Sequence, residues 1–163
     1  MKQTLFALFL GLCVLLAALP VSAKAPVPVK NRRLFVPHDN RPISDEQTAD
    51  TIKKLGWDIL VPPDEMLGGR EQLGNPEEVW QWVEQNAPTA EAAVLSSDTL
   101  LYGSLVGSRK HDYTQEQIEE RVARLEAFKK ANPKLKIYVF GSIMRTPRSG
   151  EASGSMEPGY YQS

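Results

Sequence analysis

Apolar and polar positions fall into short blocks whose period switches between two and about 3.6 residues along the chain. Arg33-Leu-Phe-Val36 is apolar and β-prone and stops at Pro37, which predicts a strand. Ser44 with Gln47 three residues on has the form of a capping box, and Ala49, Ile52 and Leu55 then recur at helical spacing up to Lys53, Lys54 and Gly56. Asp58-Ile-Leu-Val61 predicts a second strand ended by Pro62-Pro63. Asn75 and Pro76 open a second helix with Val79, Trp82 and Val83 on one face and Trp80 at its flank. Ala92 to Ser96 predicts a third strand. Thr114 and Gln117 make another capping box, before a stripe of Ile118, Val122, Leu125 and Phe128 that stops at Asn132-Pro133. Lys136 to Phe140 predicts a fourth strand, continuing towards Ile143 and Met144.

The order βαβαβαβ has a simple solution, a mainly parallel sheet of repeated βα units, either doubly wound or the first part of a barrel-like fold. Such a four-stranded sheet is small and should leave one face or edge thinly covered.

The ends of the chain read differently. Lys2, the apolar run Leu5 to Leu19, Pro20 and then Val21-Ser22-Ala23, with small residues at minus three and minus one, form a secretory signal pattern with cleavage expected after Ala23. The expected organisation is a signal peptide over 1–23, an extended Pro-rich leader over 24–32, an α/β domain over 33–147 and a polar loop or truncated tail over 148–163. The expected location is then periplasmic or extracellular, and the membrane is met only through the signal segment if it stays uncleaved. Cys13, the single cysteine of the 163 residues, would leave with the signal, which suits an oxidising compartment.

Charge narrows the possible partners. Lys+Arg 19 against Asp+Glu 20 leaves a formal charge of -1, which argues against a nucleic-acid arm. Two His and one Cys are too few for a cysteine framework or zinc site, and the expectation is no metal and no cofactor. G-x-G-x-x-G and G-x-S-x-G are both absent, and Gly103 to Lys110 resembles a phosphate loop without its Gly-Lys-Ser/Thr ending.

Candidate chemistry gathers just after the strands, where α/β proteins bind ligands: His38-Asp-Asn-Arg-Pro42, Pro63-Asp-Glu65, Ser97-Asp98 and Met144-Arg145. Asp39 and Arg41 stand two apart in a turn, so they either share a pocket or form an ion pair that holds the turn. Asp98 leaves an apolar strand and would be partly desolvated, able to act as acid or base or to cap nearby amides. Strands lie about 4.8 Å apart, so Asp39 and Asp98 could come within the roughly 5–9 Å of glycoside-cleaving carboxylates. His38 could shuttle a proton, and His111 is expected to be solvated.

The stretches Val36 to Pro42, Val61 to Pro63, Ser97 to Arg109 and Ile143 to Pro147 together resemble the bacterial family of domain-of-unknown-function 4127, in order from about Arg33 to Tyr161. Ser104 stands where that family tends to have a second Gly, and His38 and Asn40 fall at variable places. The resemblance implies a longer protein of which this is the N-terminal portion. It also implies a shared site of Asp39, Arg41, Asp98, Tyr102, Arg109 and Arg145, but brings no established activity.

The expectation is therefore an exported hydrolase acting on a polar carbohydrate-type substrate. Asp39 and Asp98 would be its catalytic pair, with Arg41, Tyr102, Arg109 and Arg145 binding substrate. The alternatives are a non-catalytic periplasmic ligand-binding module and a truncated fragment without function.

Overall fold

The structure, a computed structural model, describes residues 26–143. Four strands, β1 (Arg32–Val36), β2 (Asp58–Leu60), β3 (Ala92–Ser96) and β4 (Lys136–Phe140), form one sheet in the order β2-β1-β3-β4. All three pairings are parallel, with Arg33 opposite Ile59 and Ala92, and Leu95 opposite Val139. Between them run α1 (Glu46–Lys54), α2 (Pro76–Asn86), two short helices, α3 (Ser97–Tyr102) and α4 (Gly107–Lys110), and the long α5 (Gln115–Ala131). The predicted α/β class, with a parallel sheet of repeated βα units, is the observed one.

Residue alternation along the strands sorts the core into two layers. Leu34 and Val36 of β1 and Ala93 and Leu95 of β3 face α2 and α5 through Val79, Trp80, Val83 and Phe128. Phe35 and Ile59 point the other way and meet Ala49, with Ile52 and Val94 at the edge of that cluster. Helices thus flank both faces of an open sheet.

Trp80 anchors the larger layer. Its ring is fully buried, lies edge-on to Phe128 at 5.9 Å and donates Nε1–H to the Leu100 carbonyl at 3.1 Å. Area alone makes this burial worth about 4–6 kcal/mol, and the buried N–H is satisfied. Trp82, expected on the main apolar face, is only partly buried, because α2 presents Val79, Trp80 and Val83 to the sheet.

Local signals succeed where the partners are close in sequence. Asn75 accepts the amides of Glu77 and Glu78 above Pro76. Thr114 and Gln117 form the reciprocal capping box that starts α5. Ser44 does not cap α1: residues 42–45 form a turn, and the Gln47 amide donates to the Pro42 carbonyl at 2.8 Å. The turn's own carbonyls take the first helical amides, so no side-chain oxygen is required. Leu55 is exposed, since α1 ends at Lys54 and the chain reverses at Gly56, whose φ is 88°.

Along α5 the expected stripe is only partly core. Phe128 is buried and Leu125 partly so, but Val122 is exposed and Arg121 is buried in its place. Arg121 donates to the Leu101 carbonyl at 2.6 Å and to Glu77 at 3.2 Å, and its guanidinium lies 4.0 Å over the Tyr113 ring. A cation with those partners can occupy a position the apolar period assigns to Val122.

Candidate functional site

The strand order reverses between β1 and β3: the connection from β1 leads to β2 on one side, and that from β3 leads to β4 on the other. Chain departing to opposite sides opens a crevice outside the carboxyl ends of these two strands, the place where doubly wound folds take ligands. His38 follows β1 and Ser96 to Asp98 follow β3, so the topology delivers all of them to that crevice.

The backbone there is braced from three sides. The Leu105 amide donates to the His38 carbonyl at 2.8 Å, Thr99 Oγ1 donates to the Pro37 carbonyl at 2.5 Å, and the Asn40 amide donates to the Gly68 carbonyl at 3.0 Å. Gly103, at φ 90°, and Gly74 let the loops after β2 and β3 touch backbone to backbone; a Cβ on Gly74 would sit 2.2 Å from the Gly103 oxygen.

His38 and Asp98 meet in this frame. His38 Nδ1 lies 3.0 Å from Asp98 Oδ2, and Ser96 Oγ lies 3.1 Å from the same nitrogen. A carboxylate only accepts, so Nδ1 carries the proton and Nε2 is left as the acceptor. Asp98 Oδ2 also accepts the Ser142 amide at 3.0 Å, so both bonds fall on one oxygen and Oδ1 lies outside them. The Asp98 side chain is 10% exposed and the His38 ring is packed edge-on against Phe140 at 4.7 Å. Asp98 does not cap the amides of Leu100 or Leu101. Ser96 is the N-cap of α3, accepting the Thr99 amide, which frees the Asp98 carboxylate to turn towards His38.

Asp39 and Arg41 form the ion pair that their spacing allows. Arg41 NH2 and Nε lie 2.7 and 2.9 Å from Asp39 Oδ2, and the Arg41 amide donates to Oδ1 at 3.2 Å. Asp39 is fully buried while the Arg41 side chain is 46% exposed, so the carboxylate holds a guanidinium whose other edge is open to solvent. The hydrogen bond to Asp39, reinforced by its charge and opposed by partial burial, raises the Arg41 pKa further above its ordinary value.

Tyr102 and Arg109 lie on α3 and α4, the two short helices that follow β3. Tyr102 ends α3 and stacks on His111 at 4.7 Å, and His111 stacks on Tyr113 at 5.7 Å. His111 is therefore not a solvated loop residue: its Nδ1 is buried in an aromatic stack, because the turn after α4 folds back over Tyr102. Arg109 is part-buried within α4. Arg145 lies outside the described residues. Among the described residues no hydrogen bond joins Asp39 to Asp98, and no group of three or more His, Cys, Asp or Glu stands ready for a metal ion.

One titratable group carries no mark in the linear pattern. Asp45, at the start of α1, is buried, and its pKa is raised to about 6, first by desolvation and then by the adjacent Asp64 carboxylate. Only the fold brings the loop after β1 against the turn after β2; a charged residue just ahead of a helix otherwise reads as a cap.

The model of one protein family, described as "Protein of unknown function (DUF4127)", matches residues 33–163. The chain belongs to the DUF4127 family. The match covers β2, β3 and β4, all of β1 but Arg32, and the crevice of this DUF4127 protein. No curated protein and no solved structure matches it. The family description assigns no activity, so a functional reading of the DUF4127 crevice rests on its geometry.

Proposed function

We propose that this chain is a hydrolase whose acid–base group is Asp98, working in the β1/β3 crevice on a polar, carbohydrate-type substrate. The observation that carries the reading is the His38 Nδ1 to Asp98 Oδ2 contact of 3.0 Å at the point where the strand order reverses. Asp98 takes a proton from an attacking water through Oδ1, the oxygen outside the His38 and Ser142 bonds, as the water oxygen bonds to the substrate, and passes that proton to the leaving oxygen as the scissile bond breaks. A positioned carboxylate of this kind contributes about 10²–10⁴ in rate. His38 is a positioning residue: its N–H holds the carboxylate's orientation. Arg41, held by Asp39, orients a polar group of the substrate with its open edge. This gives Asp39 a supporting part in place of the acid–base partnership expected from spacing, since its carboxylate is already engaged.

The same proposal places the protein outside the cytoplasm, supported by the basic, apolar and small-residue pattern ahead of Ala23. Among the described residues no helix is long and apolar enough to cross a membrane.

The test is turnover of a panel of glycans and glycopeptides, with calorimetry on the same panel. Asp98→Asn should lower turnover at least about 100-fold with an unchanged circular dichroism spectrum. His38→Asn should retain part of the activity and shift its pH profile. Full activity of Asp98→Asn would reject the assignment, and binding of a glycan without turnover would point instead to a ligand-binding module.

A further inference from the structure

The sheet's two edges are β2 and β4, and β4 is the less covered. It pairs with β3 alone, so among the described residues one line of its amides and carbonyls has no strand partner. β1 and β3 are largely buried, but Tyr138 and Val139 of β4 are 59% and 45% exposed. Edge strands are ordinarily protected by proline, a bulge, an inward charge or a covering element. Ile137-Tyr-Val-Phe140 is four apolar residues in a row, with its one charge, Lys136, at the start.

Both faces of this edge are unfinished. On one, Leu125, Ile137 and Val139 line a groove rimmed by Glu126, Lys129 and Lys130. On the other, the small cluster beneath α1 reaches Phe140 only at its margin and Tyr138 stands beyond it. An occupant must therefore be apolar on both sides, as a strand of a parallel sheet is.

Charge along the edge is uneven. Lys129 and Lys130 end α5, and Lys134 and Lys136 flank the amino end of β4, where the neighbouring Glu91 is already held by Arg33 at 2.9 Å; among the described residues the acid on the groove's rim is Glu126, 4.0 Å from Lys130. Lys129 spends its hydrogen bonds on the carbonyls of Pro133 and Leu135, which leaves its charge without a carboxylate in those contacts. The carboxyl end of β4 is apolar. A second copy would not supply the missing charge, because two β4 strands paired about a two-fold axis set Lys136 opposite the other copy's Phe140.

We infer that the open edge of β4 is a docking site for an extended polypeptide segment that adds a fifth, parallel strand, apolar on both faces and acidic at its amino end. The parallel sense follows the rest of the sheet and brings the acidic end beside Lys134 and Lys136. Backbone pairing supplies affinity and the end charge selects the register.

The probe is a synthetic peptide of about seven residues, two glutamates followed by valines and a tyrosine, added to the full chain and followed by amide hydrogen exchange. The expected result is at least tenfold slower exchange within Ile137 to Phe140, weakened by salt. The same peptide with lysines in place of the glutamates should protect at least tenfold less, and Lys134→Glu with Lys136→Glu should reverse that preference. Equal protection by both peptides, protection by neither, or protection that grows with protein concentration in the absence of peptide would each overturn the proposal, the last in favour of self-association.

Discussion

His38 and Asp98, sixty positions apart in sequence, meet at 3.0 Å because β1 and β3 are neighbours in the sheet although β2 lies between them in the chain. The contact assigns the proton of the imidazole to Nδ1. Long-range ¹⁵N–¹H spectra of the histidines should show the Nδ1–H tautomer for neutral His38, and Asp98→Ala should shift that ring towards the Nε2–H form. An Nε2–H tautomer in the unmodified protein would remove the basis for treating the two as a unit.

Asp39 and Arg41 are unequal partners. Arg41→Ala strands a fully buried carboxylate and should cost about 3 kcal/mol, within the range for breaking a buried pair. Asp39→Asn should cost less, because Arg41 is half-exposed and can turn to water. The double variant should be more stable than Arg41→Ala alone. Urea denaturation of the three variants checks the order.

Asp45 makes stability depend on pH in a definite direction. Its pKa is raised from 3.8 to about 6 by burial and then by Asp64, so the folded state favours the neutral acid. The contribution is fully present below about pH 4 and is lost as pH rises through about 6. Asp45→Asn should therefore raise the melting temperature at pH 8 and leave it nearly unchanged at pH 4. An increase at pH 4 equal to that at pH 8 would show that the carboxyl charge is not its cause.

Gly74 and Gly56 separate two kinds of glycine requirement. A methyl group on Gly74 meets backbone at 2.2 Å, so Gly74→Ala should cost about 3 kcal/mol, the upper end of overpacking. It should also disturb the loops that brace His38. Around Gly56 nothing lies within 4 Å, so Gly56→Ala should cost only about 1–2 kcal/mol, the penalty of its positive φ. Thermal melts order the two, and comparable losses would contradict the close approach.

Trp80 offers a separate check on the core. Trp80→Phe keeps an aromatic ring near Phe128 but leaves the buried Leu100 carbonyl without its donor, which should cost about 1–3 kcal/mol. Trp82→Phe, at a partly buried position, should cost less. Denaturation midpoints for the two variants decide between them.

What the sequence determined by itself is what short-range physics governs. The Asn75 and Thr114 caps involve partners within a few residues, so spacing and residue type suffice to predict them, and the Asp39–Arg41 pair is one of the two arrangements their spacing allows. The parallel α/β class follows from the order of strands and helices. The tertiary structure decided the rest. No linear pattern states that β1 lies between β2 and β3, and that order alone brings His38 to Asp98 and opens the crevice. Nor does the period of α5 show that Arg121 is buried, or that of α2 that Trp80 is more buried than Trp82, because the angle at which a helix meets the sheet is set by packing between distant segments. His38 and Asp98 come from segments that follow separate strands, and only the lateral order of the strands makes them neighbours.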